Sequence, residues 1–309
     1  MKRVLVTGAG GFIGAVVTRK LLQQKNVIAG AVVRRTTDLW RLVNLQPELI
    51  HADVLDYPQT LEAVRNFRPD AIVHCAMFSG HPADAVSRNA CFRISVLGTL
   101  HVMEAARELN SSLILMGSSL IYAPSEISLT EEARIDPASA RGVAKTATLV
   151  SFRQLSRLWG MHSCELRIFS AYGPWQQPGR FIPKLLQAAG TGEAVSVRPG
   201  PRHDYVHAED IADACLSALD KIHTMEPAEA FNIGSGVERT NEETVAAVEE
   251  VTGRKIRIAA DTYAGAHPSD TAHWRADIAK AARILQWQPK ISFTDGLRGM
   301  TAWQQGRRN

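Results

Sequence analysis

A glycine-rich turn near the start of the chain has the residue types and spacing of an anion-binding site. It reads Thr7-Gly8-Ala9-Gly10-Gly11-Phe12-Ile13-Gly14 and follows an apolar run that predicts a strand. Gly8 allows a tight turn, Gly11 lets a pyrophosphate approach the backbone, and Gly14 permits close packing of a helix on the strand. The N-terminus of that helix adds free N–H groups and partial positive charge. The turn predicts a dinucleotide site rather than a purely structural glycine turn. The expected contacts come from Gly8, Gly11, Phe12, Ile13 and Gly14.

Two arginines follow the second predicted strand. In sites that bind NAD, an acidic residue about 20 residues beyond the glycine turn accepts a hydrogen bond from the ribose 2′-OH. This sequence has Arg34 and Arg35 there. Their guanidinium groups can hold a 2′-phosphate bidentately, so we predict NADP(H) in preference to NAD(H). A solvated basic turn is the alternative.

Two carboxylates follow the third predicted strand. Asp53, beside Val54, stands where a carboxylate could accept a hydrogen bond from the adenine amino group. For Asp56, a turn or a helix cap is the simpler interpretation.

Strand-like and helical patterns alternate along the first half of the chain, which predicts an α/β fold with a doubly wound parallel Rossmann sheet. The strand-like runs are almost continuously apolar, so helices should cover both faces of the sheet. They are Arg3–Thr7, Val27–Val33, Ala71–Cys75, Leu113–Gly117 and Cys164–Phe169. We assign residues 1–168 to this domain and expect residues 203–232 to return to it.

Glycine and proline become frequent after Phe169, between short helical patterns, as in loops that cover a site. Residues 169–202 and 233–309 are therefore expected to form a second, smaller, substrate-binding lobe. The predicted helices of this lobe include Ile182–Thr191, Asn241–Thr252, Asp277–Leu285 and Phe293–Gln304.

The composition excludes several classes of protein. In 309 residues, 45% are hydrophobic, which rules out intrinsic disorder, and the net charge of +4 is spread along the chain, which argues against a nucleic-acid surface. No apolar run is long enough to span a membrane, and glycines interrupt the start, so we expect a cytoplasmic protein. The four cysteines lie far apart, which favours buried thiols over a metal site or disulfides.

Two predicted helices are apolar on more than one side. The first contains Phe92, Leu97 and Val102, and the second contains Val150 and Leu158. Such helices need cover on several sides. One face can pack on the sheet, and a second copy in a homodimer or the second lobe could cover the other.

With these residues identified, the chain resembles the extended short-chain dehydrogenase/reductase family, whose members are NAD(P)-dependent sugar epimerases, dehydratases and ketoreductases. The resemblance runs nearly from end to end. Beyond the glycine turn and Asp53-x-x-Asp56, it rests on His74-Cys75-Ala76, Gly98-Thr99, Ser118 to Tyr122, Arg167 to Pro174, Asp204 to His207, Phe231 to Gly236 and Leu285 to Pro289. It implies that the cofactor also contacts Val54, Ala76, Lys145 and Phe169.

The resemblance also implies a catalytic set, from which this sequence departs. Ser118 would hydrogen-bond the reacting oxygen, and Lys145 would hold the nicotinamide ribose. The family's tyrosine, four residues before the lysine, is Arg141 here. A guanidinium stays protonated near neutrality, so Arg141 could stabilise an alkoxide but could not exchange a proton. His81 and Tyr122 are candidate proton carriers, although an exposed loop residue and a packed aromatic are the simpler interpretations.

The substrate lobe departs from the family pattern as well. Ser119-Leu120 replaces the Asp-Glu of related dehydratases, which argues against that elimination, and Ser170 resembles a subset of 4-ketoreductases. His203 and His267 stand where nucleotide-sugar enzymes have arginines. The residues expected to contact substrate are Ser119, Ser170, Arg180, Phe181, Arg202, His203 and His267.

The resemblance therefore implies an NADP(H)-dependent oxidoreductase of an activated sugar, most like a nucleotide-sugar 4-ketoreductase. Epimerisation or elimination through a transient ketone is a close variant. A dinucleotide-binding protein without redox turnover is the alternative, because the glycine turn is intact while the tyrosine is missing.

Overall fold

A parallel sheet of seven strands runs through the centre of the protein. The computed structural model describes residues 1–78, 80, 82–259 and 273–306. The strands in these residues are β1 (Lys2–Thr7), β2 (Val27–Val33), β3 (Glu48–His51), β4 (Ala71–His74), β5 (Ser112–Ser118), β6 (Ser163–Ile168), β7 (Ser170–Tyr172), β8 (Arg202–His207), β9 (Glu229–Ile233) and β10 (Glu238–Thr240). The helices are α1 (Phe12–Leu22), α2 (Tyr57–Phe67), α3 (Ala85–Phe92), α4 (Gly98–Glu108), α5 (Ala140–Leu158), α6 (Phe181–Thr191), α7 (Ala208–Lys221), α8 (Asn241–Thr252) and α9 (Phe293–Gly306).

The order of the strands in the large sheet confirms the doubly wound fold. It is β3-β2-β1-β4-β5-β6-β9, and each neighbouring pair is parallel. The chain crosses the sheet in one direction from β1 to β3 and returns to place β4 on the other side of β1. This reversal leaves a crevice at the carboxyl ends of β1 and β4, where open α/β sheets bind their ligands.

The apolar runs form strands because each of their faces is buried. In β1, Val4 and Val6 pack into the core on one side of the sheet, whereas Leu5 packs into the core on the other side. Side chains alternate along a strand, so covering both faces requires a continuous apolar run. The expected helices on both faces are therefore present.

A smaller sheet, in the order β10-β8-β7, forms the second lobe together with α6, α8 and α9. Two segments contact both parts of the protein. β8 pairs with β7 and β10 in the smaller sheet, while its Val206 packs into the core of the large sheet. The segment expected as a helix at Asp277–Leu285 contributes Ala281, Leu285 and the following Trp287 to the core of the large sheet.

The two apolar helical segments lie side by side on one face of the large sheet. α3 continues through a π-helical stretch, Arg93–Leu97, into α4, and this stretch packs against α5. Val150 and Leu158 of α5 are 53% and 77% exposed. No described part of the second lobe covers them.

The four cysteines are free thiols. Cys91, Cys164 and Cys215 are buried, as expected, whereas Cys75 is partly buried.

Among the helices in the described ranges, none combines the length and the apolar character needed to cross a lipid bilayer.

Candidate active site

A cavity of about 1080 Å³ opens at the carboxyl ends of the large sheet and extends to the second lobe. Its wall includes the glycine turn, the ends of several strands and the start of α6. Ligand sites usually enclose roughly 300–1,000 Å³, so this cavity can hold a large ligand. It contains most of the site residues expected from the sequence.

The glycine turn fits a dinucleotide diphosphate. Gly8 has a φ of +66°, and a Cβ there would lie 2.6 Å from the backbone nitrogen of Ala76. A Cβ on Gly14 would collide with the carbonyl oxygen of Gly8. The Gly11 N–H donates to that same oxygen over 2.9 Å, and no side chain caps the start of α1. The glycines of the turn and the uncapped start of α1 line the cavity, which is the arrangement of an anion site at a helix N-terminus.

Arg41 holds this turn through a hydrogen bond and also lines the cavity, and sequence reasoning missed it. Its guanidinium donates to the carbonyl oxygens of Gly10, over 3.1 Å, and Trp175, over 3.0 Å. The side chain is largely buried, and it lines the cavity close to the glycine turn. No spacing rule marks an arginine seven residues after Arg34 for this role.

The residues after β2 are only partly arranged as expected. Arg34 lies in the cavity wall, whereas Arg35 is exposed and lies outside it. Asp38, which the sequence analysis did not single out, also lines the cavity. One arginine, rather than two, is therefore placed to meet a ligand.

The carboxylates after β3 have separate positions. Asp53 and Val54 line the cavity, and one oxygen of Asp53 accepts a hydrogen bond from the Leu55 N–H over 2.9 Å. Asp56 accepts from the Gln59 N–H over 3.0 Å and caps α2. The helix-cap interpretation of Asp56 is confirmed.

The expected catalytic set meets at the other end of the crevice. Ser118 ends β5, and Arg141 and Lys145 lie one turn apart on α5, which begins after its cap residue Ser139. Ser118, Arg141 and Lys145 all line the cavity. Burial lowers the pKa of Lys145 to about 8, with a further decrease from the charge of Arg141. Burial also lowers the pKa of Arg141, and the positive charge of Arg180 lowers it further.

Tyr122 is packed into the protein, although it borders the cavity. It is 1% exposed, and its hydroxyl donates to Asn232 Oδ1 over 2.7 Å and accepts from Arg167 over 2.8 Å. Burial raises its pKa to about 12. These contacts fit the interpretation as a packed aromatic. His81, the other candidate proton carrier, lies outside the described residues.

The start of the substrate region includes a hydrogen bond between the two lobes. Ser119 is buried, and its hydroxyl accepts from the indole N–H of Trp274 over 3.1 Å. Sequence reasoning missed Trp274. Ser170, Phe181 and Phe169 complete this part of the wall.

The basic residues expected to bind substrate have different surroundings. Arg180 immediately precedes α6 and lines the cavity. Arg202 also lines the cavity but forms an ion pair with Glu238 over 3.3 Å. Burial lowers the pKa of His203, which favours a neutral ring. His267 lies outside the described residues.

Comparison with known proteins agrees with this arrangement. Residues 4–234 match the family described as the NAD dependent epimerase/dehydratase family. The chain belongs to this family. The family assignment confirms the resemblance found in the sequence, and it places the protein among enzymes of this type.

Individual relatives in the family are distant but cover nearly the whole chain. A UDP-glucuronate 4-epimerase from Thermodesulfobacterium geofontis is 25% identical over 97% of this chain and 95% of its own length. A dTDP-glucose 4,6-dehydratase from Escherichia coli is 24% identical over 97% and 92%. The structure of a UDP-glucose 4-epimerase from Thermus thermophilus, in complex with NAD, has a TM-score of 0.87, 24% identity and coverage of 98% and 99%. The structural likeness shows the fold, and the family rests on the match over residues 4–234.

Proposed function

We propose that the protein oxidises or reduces a sugar carried on a nucleotide, most like a 4-ketoreductase, with NADP(H) as cofactor. The relatives that match the whole chain act, by their names, on UDP- or dTDP-linked sugars. The observation that carries the proposal is a single cavity containing the glycine turn at one end and Ser118, Arg141 and Lys145 at the other.

The side chains have complementary roles in this proposal. A bound nicotinamide dinucleotide supplies or accepts a hydride. The Ser118 hydroxyl hydrogen-bonds the reacting oxygen of the sugar, and Lys145 holds the nicotinamide ribose. The guanidinium of Arg141 stabilises negative charge at the reacting end of the cavity, where exclusion of water strengthens electrostatic interactions. Because Arg141 keeps its proton, the proton that accompanies the hydride moves through another group or through water.

Enzyme assays test the activity directly. The protein is incubated with NADPH and a panel of 4-keto sugar nucleotides, and the absorbance of the reduced cofactor is followed. Oxidation of NADPH supports the proposal. Binding of the cofactor without oxidation by any member of the panel would favour the alternative, in which the dinucleotide only regulates binding of a partner.

The variant Arg141→Tyr tests whether the site has kept the geometry of its family. A tyrosine at this position can donate a proton, and a positioned general acid contributes about 10²–10⁴ in rate. We expect the variant to reduce keto sugars faster than the wild type. No gain would indicate that the surroundings of residue 141 have been remodelled.

The preference for NADP(H) rests on Arg34, which lines the cavity where a 2′-phosphate would need a cation. Titration calorimetry with NADP⁺ and NAD⁺ tests it in Arg34→Ala, with Arg35→Ala as the matched control outside the cavity wall. We expect Arg34→Ala to lose about tenfold in NADP⁺ affinity and to keep its NAD⁺ affinity. Equal affinities of the wild type for the two cofactors would overturn the preference.

We also propose that the exposed apolar face formed by Leu97, Val143, Val150 and Leu158 pairs with a second copy of the chain. A two-fold contact would bury these side chains against their equivalents. Sedimentation tests the homodimer, with Val150→Asp expected to give monomers. Ile127→Asp is the control, because Ile127 is exposed and lies in a loop rather than on α5. A monomeric wild type at micromolar concentration would exclude the dimer.

A further inference from the structure

The loop after β2 forms one side of the dinucleotide end of the cavity. Residues 34–47 contain no strand and no α-helix, yet Arg34, Thr37, Asp38 and Arg41 from this loop line the cavity. A loop has no ladder of backbone hydrogen bonds to fix it, so its position depends on contacts with the rest of the fold. These contacts therefore decide how well the wall residues of the loop meet a ligand.

Trp40, in the middle of this loop, stacks on Trp303 of α9. The ring centroids lie 6.2 Å apart, and the ring planes are inclined by 24°. Both side chains are partly buried, and neither lines the cavity. Stacked aromatic pairs at such separations attract each other beyond the effect of burying their area. This indole pair, Trp40 and Trp303, therefore stabilises the position of the loop.

The indole pair joins the loop to the second lobe. α9 belongs to that lobe, because its Leu297 and Met300 lie in the core that it forms with α6 and α8. Trp303 follows Met300 by three residues in the same helix. Its indole is thus carried by an element that is anchored in the second lobe rather than in the large sheet.

Arg41 extends this connection to the glycine turn. Its guanidinium carbon lies 4.2 Å from the centroid of the Trp40 ring, which is a cation–π contact. The same guanidinium donates to the carbonyl oxygens of Gly10 and Trp175. Trp175 comes from the loop between β7 and α6. Both the indole pair and the Trp175 carbonyl therefore reach the glycine turn through one arginine.

The loop also lies directly against the glycine turn. A Cβ built on Gly10 would collide with Thr37 Cγ2. The Thr37 N–H donates to the carbonyl oxygen of Arg34 over 2.9 Å, and the Arg34 N–H donates to Thr37 Oγ1 over 3.1 Å. A shift of the loop would therefore displace Arg34 relative to the backbone of the glycine turn.

We propose that the indole pair is the contact through which the second lobe holds the loop after β2 in the conformation that binds the dinucleotide. Trp303 is a positioning residue in this role, because it acts through Trp40 and Arg41 and lies outside the cavity wall. A loop that is already ordered loses less conformational entropy when a ligand binds, so the indole pair raises cofactor affinity. This inference rests on the dinucleotide site of the proposed function and requires neither the sugar substrate nor turnover.

Titration calorimetry with NADP⁺ and NAD⁺ tests the role of the indole pair. We expect Trp40→Ala and Trp303→Ala each to lose about three- to tenfold in dinucleotide affinity, the scale of one aromatic contact. The double variant should lose little more than either single variant, because the two residues act through one contact. Trp303→Phe keeps a ring that can stack, so it should retain most of the affinity.

Trp159→Ala is the matched control. Trp159 is also a partly buried indole that contacts an arginine, Arg107, but it follows α5 and lies outside the cavity wall. Its loss should lower the melting temperature without changing dinucleotide affinity, which separates positioning of the loop from a general loss of stability. Affinities of Trp40→Ala and Trp303→Ala equal to that of Trp159→Ala would overturn the proposal. So would a Trp303→Phe variant that binds as weakly as Trp303→Ala.

Limited proteolysis separates this inference from the proposed function. Arg34 and Arg35 are exposed in the loop, and their cleavage by trypsin is followed by mass spectrometry without cofactor. We expect faster cleavage there in Trp303→Ala than in the wild type or Trp159→Ala, because the loop leaves its position more often. Equal cleavage rates in the three proteins would contradict the inference even where the dinucleotide binds. A wild type that binds neither dinucleotide would refute the proposed function, whereas the cleavage rates test the contact between the loop and the second lobe by themselves.

Discussion

The carboxylate of Glu165 occupies the space in which a side chain at Gly117 would lie. A Cβ built on Gly117 would be 2.8 Å from Glu165 Cγ. Glu165 lies on β6, is 2% exposed and pairs with Arg167 over 2.8 Å. Gly117 immediately precedes Ser118 on the neighbouring strand, so the position of the site serine depends on a glycine that makes room for a buried ion pair.

Gly117→Ala should therefore destabilise the protein, by about 1–3 kcal/mol, because the added methyl group forces Glu165 and its partner apart. The free energy of unfolding in urea measures this. Gly299→Ala is the matched control, because Gly299 lies in α9 with open space around a Cβ. Alanine is favoured over glycine in a helix by about 1 kcal/mol, so the control should be neutral or stabilising. Similar free energies for the two variants would contradict the contact.

Tyr122→Phe should lower stability but leave turnover unchanged. The substitution removes the hydroxyl that joins Asn232 to Arg167 inside the protein, which costs roughly 1–3 kcal/mol. If Tyr122 is only a packed aromatic, the substitution removes no contact with the reacting atoms. Urea unfolding and kcat measured on the same preparation check both statements. A fall of a hundredfold or more in kcat, the scale of a lost proton donor, would instead make Tyr122 the proton carrier.

The sequence predicted the parts of the site whose geometry is local. The turn from Gly8 to Gly14 needs particular backbone conformations and close approaches over a few residues, so glycine spacing reports it directly. The cap at Asp56 is local in the same way. Arg34 and Arg35 were not distinguished, because which of two adjacent side chains faces a ligand depends on the exact end of β2.

Contacts between segments that are distant along the chain have no comparable pattern in the sequence. β8 (Arg202–His207) has no sequence feature that names its partners, and only its pairing with β7 and β10 places it in the smaller sheet. Arg41 meets Gly10 and Trp175 through the tertiary fold. Arg141 and Arg180, which are far apart in the sequence, likewise meet only through the fold, in the wall of one cavity.

The pH dependence of stability should carry a contribution from His74. This side chain is fully buried between Thr7 Oγ1, at 2.7 Å, and Thr99 Oγ1, at 3.0 Å, and burial lowers its pKa to about 3. The unfolded chain binds a proton as the pH falls through about 6.5, whereas the folded chain does not, so stability falls from pH 6.5 towards pH 3. His74→Gln removes this contribution. The wild type's stability advantage over the variant should narrow as the pH is lowered, and an advantage that stays constant would show that His74 does not contribute.

The pKa of Lys145 offers the sharpest test of the charges around the catalytic end. Burial and Arg141 lower this pKa to about 8, whereas Glu165, Cys91 and Cys75 act in the opposite direction. Arg141→Gln removes a positive neighbour, so it should raise the pKa. Glu165→Gln removes a negative neighbour, so it should lower it. NMR titration of 13C-labelled lysine, assigned with Lys145→Arg, measures both shifts, and Arg134→Gln serves as the surface control. An unchanged pKa in both the Arg141 and the Glu165 variants would mean that burial alone sets this pKa and that the two charged neighbours do not affect the amine.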